Sequence, residues 1–317
     1  MLKRAIPFVL LAACTTESLS TSDQDIIGGT TAQTADFPSV VGLEETPGNW
    51  FCTGTLINSQ WVLTAAHCMD METATKIHVR FGANNIETAT SGTVVGVAEI
   101  HSHPGFDFNA WDNDIALIKL AAPVTTVTPT PILRDALTIG SQVLEVGYGV
   151  SDNNDGGGGI LRQVTKTTAD CAGANDPGIS GANLICMNAG DGKGSCYGDS
   201  GGPAFATINN QRVVAGVTSG GSGEQCGAGW DLYTSVKAEI DFVDSTMGVT
   251  TPPSDPVDPG MGSGSNTDTG TGSGDDGNHD ASGEESAGCN AGGGAGSFVL
   301  LALMGLVRRK REAKPAE

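Results

Sequence analysis

The stretch Gly194-Ser-Cys-Tyr-Gly-Asp-Ser-Gly-Gly-Pro203 decides how this chain is read. It sets Ser200 in a glycine-bounded turn, with Asp199 before it and Gly201 and Gly202 after it. Little side-chain bulk stands near the hydroxyl, so a substrate backbone can approach closely. The amides of Gly198 and Ser200 can point at one spot, and two N–H groups aimed where negative charge develops form an oxyanion hole. Turns collect Gly, Ser and Asp for steric reasons alone, however. A nucleophile therefore needs a base and an orienting acid elsewhere in the sequence.

The base comes from Trp61-Val-Leu-Thr-Ala-Ala-His-Cys68, an apolar, β-prone run that closes on small residues and His67. A serine hydroxyl is a weak nucleophile until an imidazole takes its proton during attack. Cys68 beside the histidine can pin its backbone through a disulfide. The other histidines fit less well: His78 falls in a strand-like run, His101 and His103 in a loop, His279 in a low-complexity tail. The acid comes from Asp112-Asn-Asp-Ile-Ala-Leu-Ile-Lys-Leu120, where Asp114 opens an apolar strand and can be buried at its start. Asp112 reads as a solvated loop charge. Alone, Asp114 would be a turn cap and His67 a satisfied core histidine; with Ser200 they read as a triad.

Thr64-Ala-Ala-His-Cys68, Asp112-Asn-Asp-Ile-Ala-Leu117 and Gly198-Asp-Ser-Gly-Gly-Pro203 occur in the order His67, Asp114, Ser200. In this the chain resembles the trypsin/chymotrypsin-type serine proteases, from about Ile26 to Met247. The resemblance implies an all-β fold of two six-stranded antiparallel barrels with a C-terminal helix, the active site lying in the cleft between the barrels. It implies that His67 acts as base and then acid, that Asp114 orients it, and that Ser200 attacks to give an acyl-enzyme hydrolysed by water. Ser219 is expected to support the Asp114 carboxylate. No cofactor and no metal are expected. A calcium loop lacks support, with Ala83 where an acidic ligand would stand, and Ser151–Arg162 fails as an EF-hand because a basic residue ends it.

Independently of resemblance, residues 26–248 show short apolar runs broken by Gly, Pro and Asn, the pattern of a barrel or sandwich. The runs are Trp50–Leu56, Trp61–Thr64, Ile77–Phe81, Val94–Ile100, Ile115–Leu120, Val143–Tyr148, Leu161–Thr168, Leu184–Met187, Val213–Thr218 and Trp230–Val236. Val236, Ile240, Val243 and Met247 recur at helical spacing and predict a closing helix. The formal net charge is −20, and residues 26–248 alone hold 23 acidic against 9 basic side chains. Such a surface disfavours nucleic acid and anionic membranes as partners.

Of the 8 cysteines, Cys52, Cys68, Cys171, Cys186, Cys196 and Cys226 lie within the protease-like region. An even number suits a disulfide framework in an oxidising compartment, and spacing alone leaves every connectivity open. The spacing fits no four-ligand zinc pattern. The resemblance selects Cys52–Cys68, Cys171–Cys186 and Cys196–Cys226.

The ends read differently. Residues 1–13 combine Lys3 and Arg4 with an apolar run, as in a short secretory signal. Leu11-Ala-Ala-Cys14 resembles a bacterial lipobox that would lipidate Cys14; an ordinary signal peptide is the alternative. Residues 14–25 form a tether or propeptide. Residues 249–288 are rich in Pro, Gly, Ser and Asp and cannot bury enough apolar surface to fold, so they read as a linker. Residues 289–317, with Cys289, an apolar stretch and a basic end, resemble myxobacterial-type sorting tails. An exported enzyme is expected, held at the envelope membrane by a lipid, by this tail, or by both.

Asp25-Ile-Ile-Gly-Gly29 resembles the family's activation site, where cleavage frees the Ile26 amine to pair with Asp199. Asp25 stands where Lys or Arg is usual, which points to a separate activating protease, or to cleavage elsewhere followed by trimming. The loop Tyr148–Ile160 is expected to order in the same step. The specificity pocket is read as Gly194, Ser195, Gly221 and Asp231. Trypsin-like members carry an aspartate six residues before the nucleophile; here that position is Gly194. Asp231, on the opposite wall, is expected to supply the charge and select Lys or Arg. The alternative is a chymotrypsin- or elastase-like pocket with Asp231 turned to solvent. A monomer acting on proteins or peptides is expected. The rival from another class is a catalytically silent surface binding module of the same fold, favoured only by the unusual Asp25.

Overall fold

β-branched and aromatic residues alternating with polar ones give strands with one buried face, and such strands must close or be covered. A computed structural model of the chain describes residues 26–249 apart from 71, 108, 155, 175–178, 180 and 181. The expected signal peptide over 1–13, Cys14, the tether over 14–25, all but the first residue of the 249–288 linker, and the 289–317 segment with Cys289 lie outside the described residues.

The N-terminal barrel is built from β2 (Val40–Thr46), β3 (Asn49–Asn58), β4 (Trp61–Thr64), β5 (His78–Phe81), β6 (Thr93–Ser102) and β7 (Ala116–Leu120), after a short β1 (Thr30–Thr31). They close in the order β2-β3-β4-β7-β6-β5, with β5 returning to β2. The C-terminal barrel uses β8 (Gln142–Gly147), β9 (Arg162–Ala169), β10 (Leu184–Asn188), β11 (Pro203–Ile208), β12 (Gln211–Gly221) and β13 (Trp230–Ser235). Its order is β9-β10-β13-β12-β11-β8, closed by β8 on β9, with β1 at the β9 edge. All the ladders are antiparallel, so the fold is two closed six-stranded barrels as expected.

The closing helix α1 spans Ile240–Met247 and ends on Gly248, whose left-handed φ of 69° lets its amide reach back to Ser245 O. The helical spacing includes Val236, but residues 236–239 form a turn, and Val236 is core through that turn. Arg134 clamps Asp244 of α1 with two bonds of 2.8 Å. The main apolar cluster runs from Val41, Leu63 and Leu117 of the first barrel to Val146, Val214 and Val217 of the second. The strands that carry the candidate triad therefore share one core.

Inside the C-terminal barrel the inner face is not wholly apolar. On β9 the buried positions alternate as Arg162, Val164, Lys166 and Thr168, and Glu145 of β8 and Asp231 of β13 are buried as well. Lys166 Nζ is held by Asp191 Oδ1 at 2.7 Å and by the Lys193 carbonyl at 2.8 Å.

Candidate active site

Asp114 stands just before β7 and is 1% exposed. A carboxylate so buried needs its oxygens occupied. Oδ2 lies 2.7 Å from His67 Nδ1 and accepts the Ser219 hydroxyl at 2.7 Å; Oδ1 accepts the His67 amide at 2.9 Å. Its own carbonyl accepts from Thr234 Oγ1 at 2.9 Å. Both backbone and ring of His67 are thereby fixed on one acid, and the Cys52–Cys68 disulfide anchors the next residue to β3. The sulfurs of that disulfide crowd the His67 ring but are bonded to each other, so they offer no thiolate to a metal. The Cys171–Cys186 and Cys196–Cys226 disulfides form as expected, the last tying the Ser200 turn to the far wall of the cleft.

His67 and Ser200 line one cleft of about 300 Å³, together with Ser195, Gly221 and Asp231. Around Ser200 the backbone is held at each step. Ser200 O accepts the Thr53 amide, Gly201 N donates to Thr218 O, and Gly202 N donates to Asp199 O, each at 2.8 Å. Gly198 has φ 95°, a left-handed value suited to glycine, and any Cβ there would collide with the Trp50 ring. Among the described residues no backbone acceptor takes up the amide of Gly198 or of Ser200.

Asp199 turns inward and is 2% exposed, its carboxylate accepting the amides of Gly149 at 2.7 Å and Cys196 at 2.9 Å. Burial pushes its pKa up to about 6, against the pull of those two amides and of the Arg162 charge. Ile26 is 1% exposed, and Ile27 pairs with Gly194, so the segment at Ile26 and Ile27 packs against the front of the Ser200 turn.

Asp231 is 4% exposed, which removes the solvent-facing alternative. Its carboxylate fills the space a side chain at Gly194 would need: a Cβ there would strike Asp231 Oδ2. Oδ1 takes a long 3.4 Å bond from Ser195 Oγ, and Oδ2 has no hydrogen-bond partner among the described residues. Burial pushes Asp231 up to about 7, opposed by Lys166 and Ser195 and reinforced by Asp199 and Asp191. Behind it burial drives Glu145 well above the carboxylate range, reinforced by Asp231.

Sequence reasoning missed three parts of this site. Trp111 lines the cleft and lies over Gly220, where a Cβ would collide with its ring. Thr53 touches the Ser200 turn from β3, and buried Glu145 and Lys166 are charged neighbours of Asp231. The φ of 55° at Trp111 marks a constrained loop that no local pattern announces.

By class, two closed barrels with an acid-bound histidine and a turn-borne serine in one cleft define a two-barrel serine hydrolase. The trypsin family model matches residues 26–243. Brachyurin of Leptuca pugilator is 34% identical across 67% of this chain and 99% of its own length. Trypsin of Sus scrofa is 35% identical across 71% of this chain and 96% of its own. Cationic trypsin-3 of Rattus norvegicus is 33% identical across 78% and 99%. The chain belongs to the trypsin family and is a serine endopeptidase.

Proposed function

We propose that this endopeptidase cleaves with His67 as base and then acid, Asp114 as its orienting carboxylate, and Ser200 as nucleophile. Gly198 and Ser200 supply the oxyanion donors. The carrying observation is Asp114, which is buried and holds both the ring and the amide of His67 while His67 and Ser200 line one cleft. Ser200 Oγ loses its proton to His67 as it bonds the scissile carbonyl carbon. The amine then leaves with that proton, and water repeats the sequence on the acyl-enzyme. Labelling by a serine-reactive phosphonate should vanish in Ser200→Ala, and persistent labelling would refute the assignment.

The chain is made as a zymogen. Asp199, buried without a cation in hydrogen-bonding contact among the described residues, is the group a freed Ile26 ammonium would pair with, and an activating protease cuts after Asp25. P1 specificity is for Lys or Arg through Asp231, whose unpartnered Oδ2 beside Gly194 supports that reading. A chymotrypsin-like preference for apolar P1 groups is favoured at acid pH, where the raised pKa leaves Asp231 neutral. The enzyme is an exported monomer of the bacterial envelope or its surroundings. The three disulfides fit an oxidising compartment.

A further inference from the structure

A trans peptide points its N–H and C=O in opposite directions, so fixing one end aims the other. The turn around Ser200 uses this rule repeatedly. The Tyr197 carbonyl accepts Val150 N at 2.9 Å, which sets the direction of the Gly198 amide. The Asp199 carbonyl accepts Gly202 N at 2.8 Å, which sets the direction of the Ser200 amide. Between them lies the Gly198–Asp199 peptide. Its N–H donates to Cys196 O at 3.0 Å, and its carbonyl accepts the Thr53 hydroxyl at 2.8 Å. That hydroxyl is the one clamp of this set supplied by a side chain.

Thr53 itself is 0% exposed and fully engaged. Its Oγ1 accepts the Tyr148 amide at 3.2 Å while donating to Gly198. Its amide holds Ser200 O at 2.8 Å, and its carbonyl accepts Thr64 Oγ1 at 2.9 Å. One residue of the N-terminal barrel thus grips the carbonyls on both sides of Asp199, and ties them to the start of the loop that follows Tyr148. Gly198 needs such a grip. Glycine occupies several backbone basins at similar cost, so without an external hold its two peptides can rotate and turn the amide away.

We propose that Thr53 is a positioning residue for the oxyanion turn, its hydroxyl holding the Gly198–Asp199 peptide so that the Gly198 amide stays aimed at the reacting carbonyl oxygen. The inference rests on the reading of Gly198 and Ser200 as oxyanion donors. A misaimed donor is less damaging than a deleted one, which costs about 100- to 1,000-fold in kcat. Thr53→Val, which keeps the shape and removes the hydroxyl, is therefore expected to lower kcat roughly 10- to 100-fold with KM within about twofold.

The test uses cleaved enzyme whose active sites are counted by phosphonate titration. A peptide aldehyde, which forms a tetrahedral oxyanion on Ser200, should bind Thr53→Val more weakly in proportion to the lost kcat. The matching peptide alcohol, which forms none, should bind unchanged, and Thr53→Ser should recover most of the activity. Unaltered kcat in Thr53→Val, or equal losses for aldehyde and alcohol, overturns the proposal. If Thr53→Val does not fold, Thr53→Ala is measured in its place against the same outcomes. Ser200→Ala separates the two readings. Hydrolysis surviving in that variant defeats the triad itself, whereas Ser200-dependent hydrolysis indifferent to Thr53 defeats only the positioning role.

Discussion

Replacing Asp231 should reveal a pocket whose charge depends on pH. The carboxyl is buried against Ser195 and Gly194, with Lys166, Asp191, Asp199 and Glu145 as the charged neighbours and Tyr233 beside them on β13. Burial raises its pKa to about 7, so the acid is neutral below that and ionised above it. Around this midpoint, which cleavage at Ile26 moves downward, the ionised fraction climbs from about one-tenth to about nine-tenths over about two pH units. The ratio of kcat/KM for an Arg substrate to that for a Leu substrate should therefore rise about tenfold across this window. Steps common to both substrates cancel in the ratio. In Asp231→Asn the ratio should be flat, and Arg cleavage should fall by roughly 100-fold, since breaking a buried ion pair costs about 3 kcal/mol or more. The assay is initial-rate kinetics on paired peptides from acid to alkaline pH. A flat ratio in the unmodified enzyme, or Arg cleavage undiminished in Asp231→Asn, refutes the reasoning.

Ser219→Ala removes one of the two bonds to Asp114 Oδ2, and a hydrogen bond to a charged group is worth about 1.5–3 kcal/mol, so kcat/KM should fall about tenfold or more; rates equal to those of the unmodified enzyme would count against that support. The uncut chain, kept inert by Ser200→Ala, should lose stability as pH rises through about 6, because Asp199 binds its proton more tightly folded than unfolded. A shift of about two units from the unfolded value is worth roughly 3 kcal/mol at most, present in full below about pH 4. Asp199→Asn should remove that part of the slope in urea titrations, and identical slopes would sink the assignment.

The catalytic motifs and ten of the strands are legible because each lies in an apolar run between turn residues. Three strands are not. β2 carries Gly42 and the buried Glu44 among its apolar residues, and only the structure shows why. Arg80 pairs with Glu44 through two bonds, and a Cβ at Gly42 would strike Ile86. β11 opens on Pro203 and is hidden by the motif it ends, while β1 exists only by pairing with β9. The charged layer was invisible for a sharper reason. Charged residues at alternate strand positions are usual on a solvated face, yet Arg162 and Lys166 are on the buried face. Alternation gives the period of a strand but not which face is buried. Thr53 reads as an ordinary strand residue, because its role depends on Gly198, Ser200 and Tyr148, all distant in sequence.

That inward layer gives activation and specificity a common physical basis. Asp199, Asp231 and Glu145 are buried acids whose pKa values are raised chiefly by desolvation. Lys166 and Arg162 offset them only in part, and Lys166 already serves Asp191 and a carbonyl. A desolvated carboxylate in this state favours any cation that can reach it without water. At Asp199 the proposed cation is the Ile26 ammonium, and at Asp231 it is the side chain of the substrate. The two are linked, since Asp199 is among the groups that raise Asp231. An ammonium beside Asp199 cancels that repulsion, so cleavage at Ile26 should ease the ionisation of Asp231. The shift must be smaller than the rise due to burial, which is the larger cause. Cutting the chain would then do two things at once: it gives Asp199 a cation beneath the turn that holds Ser200, and it readies the pocket for a basic residue.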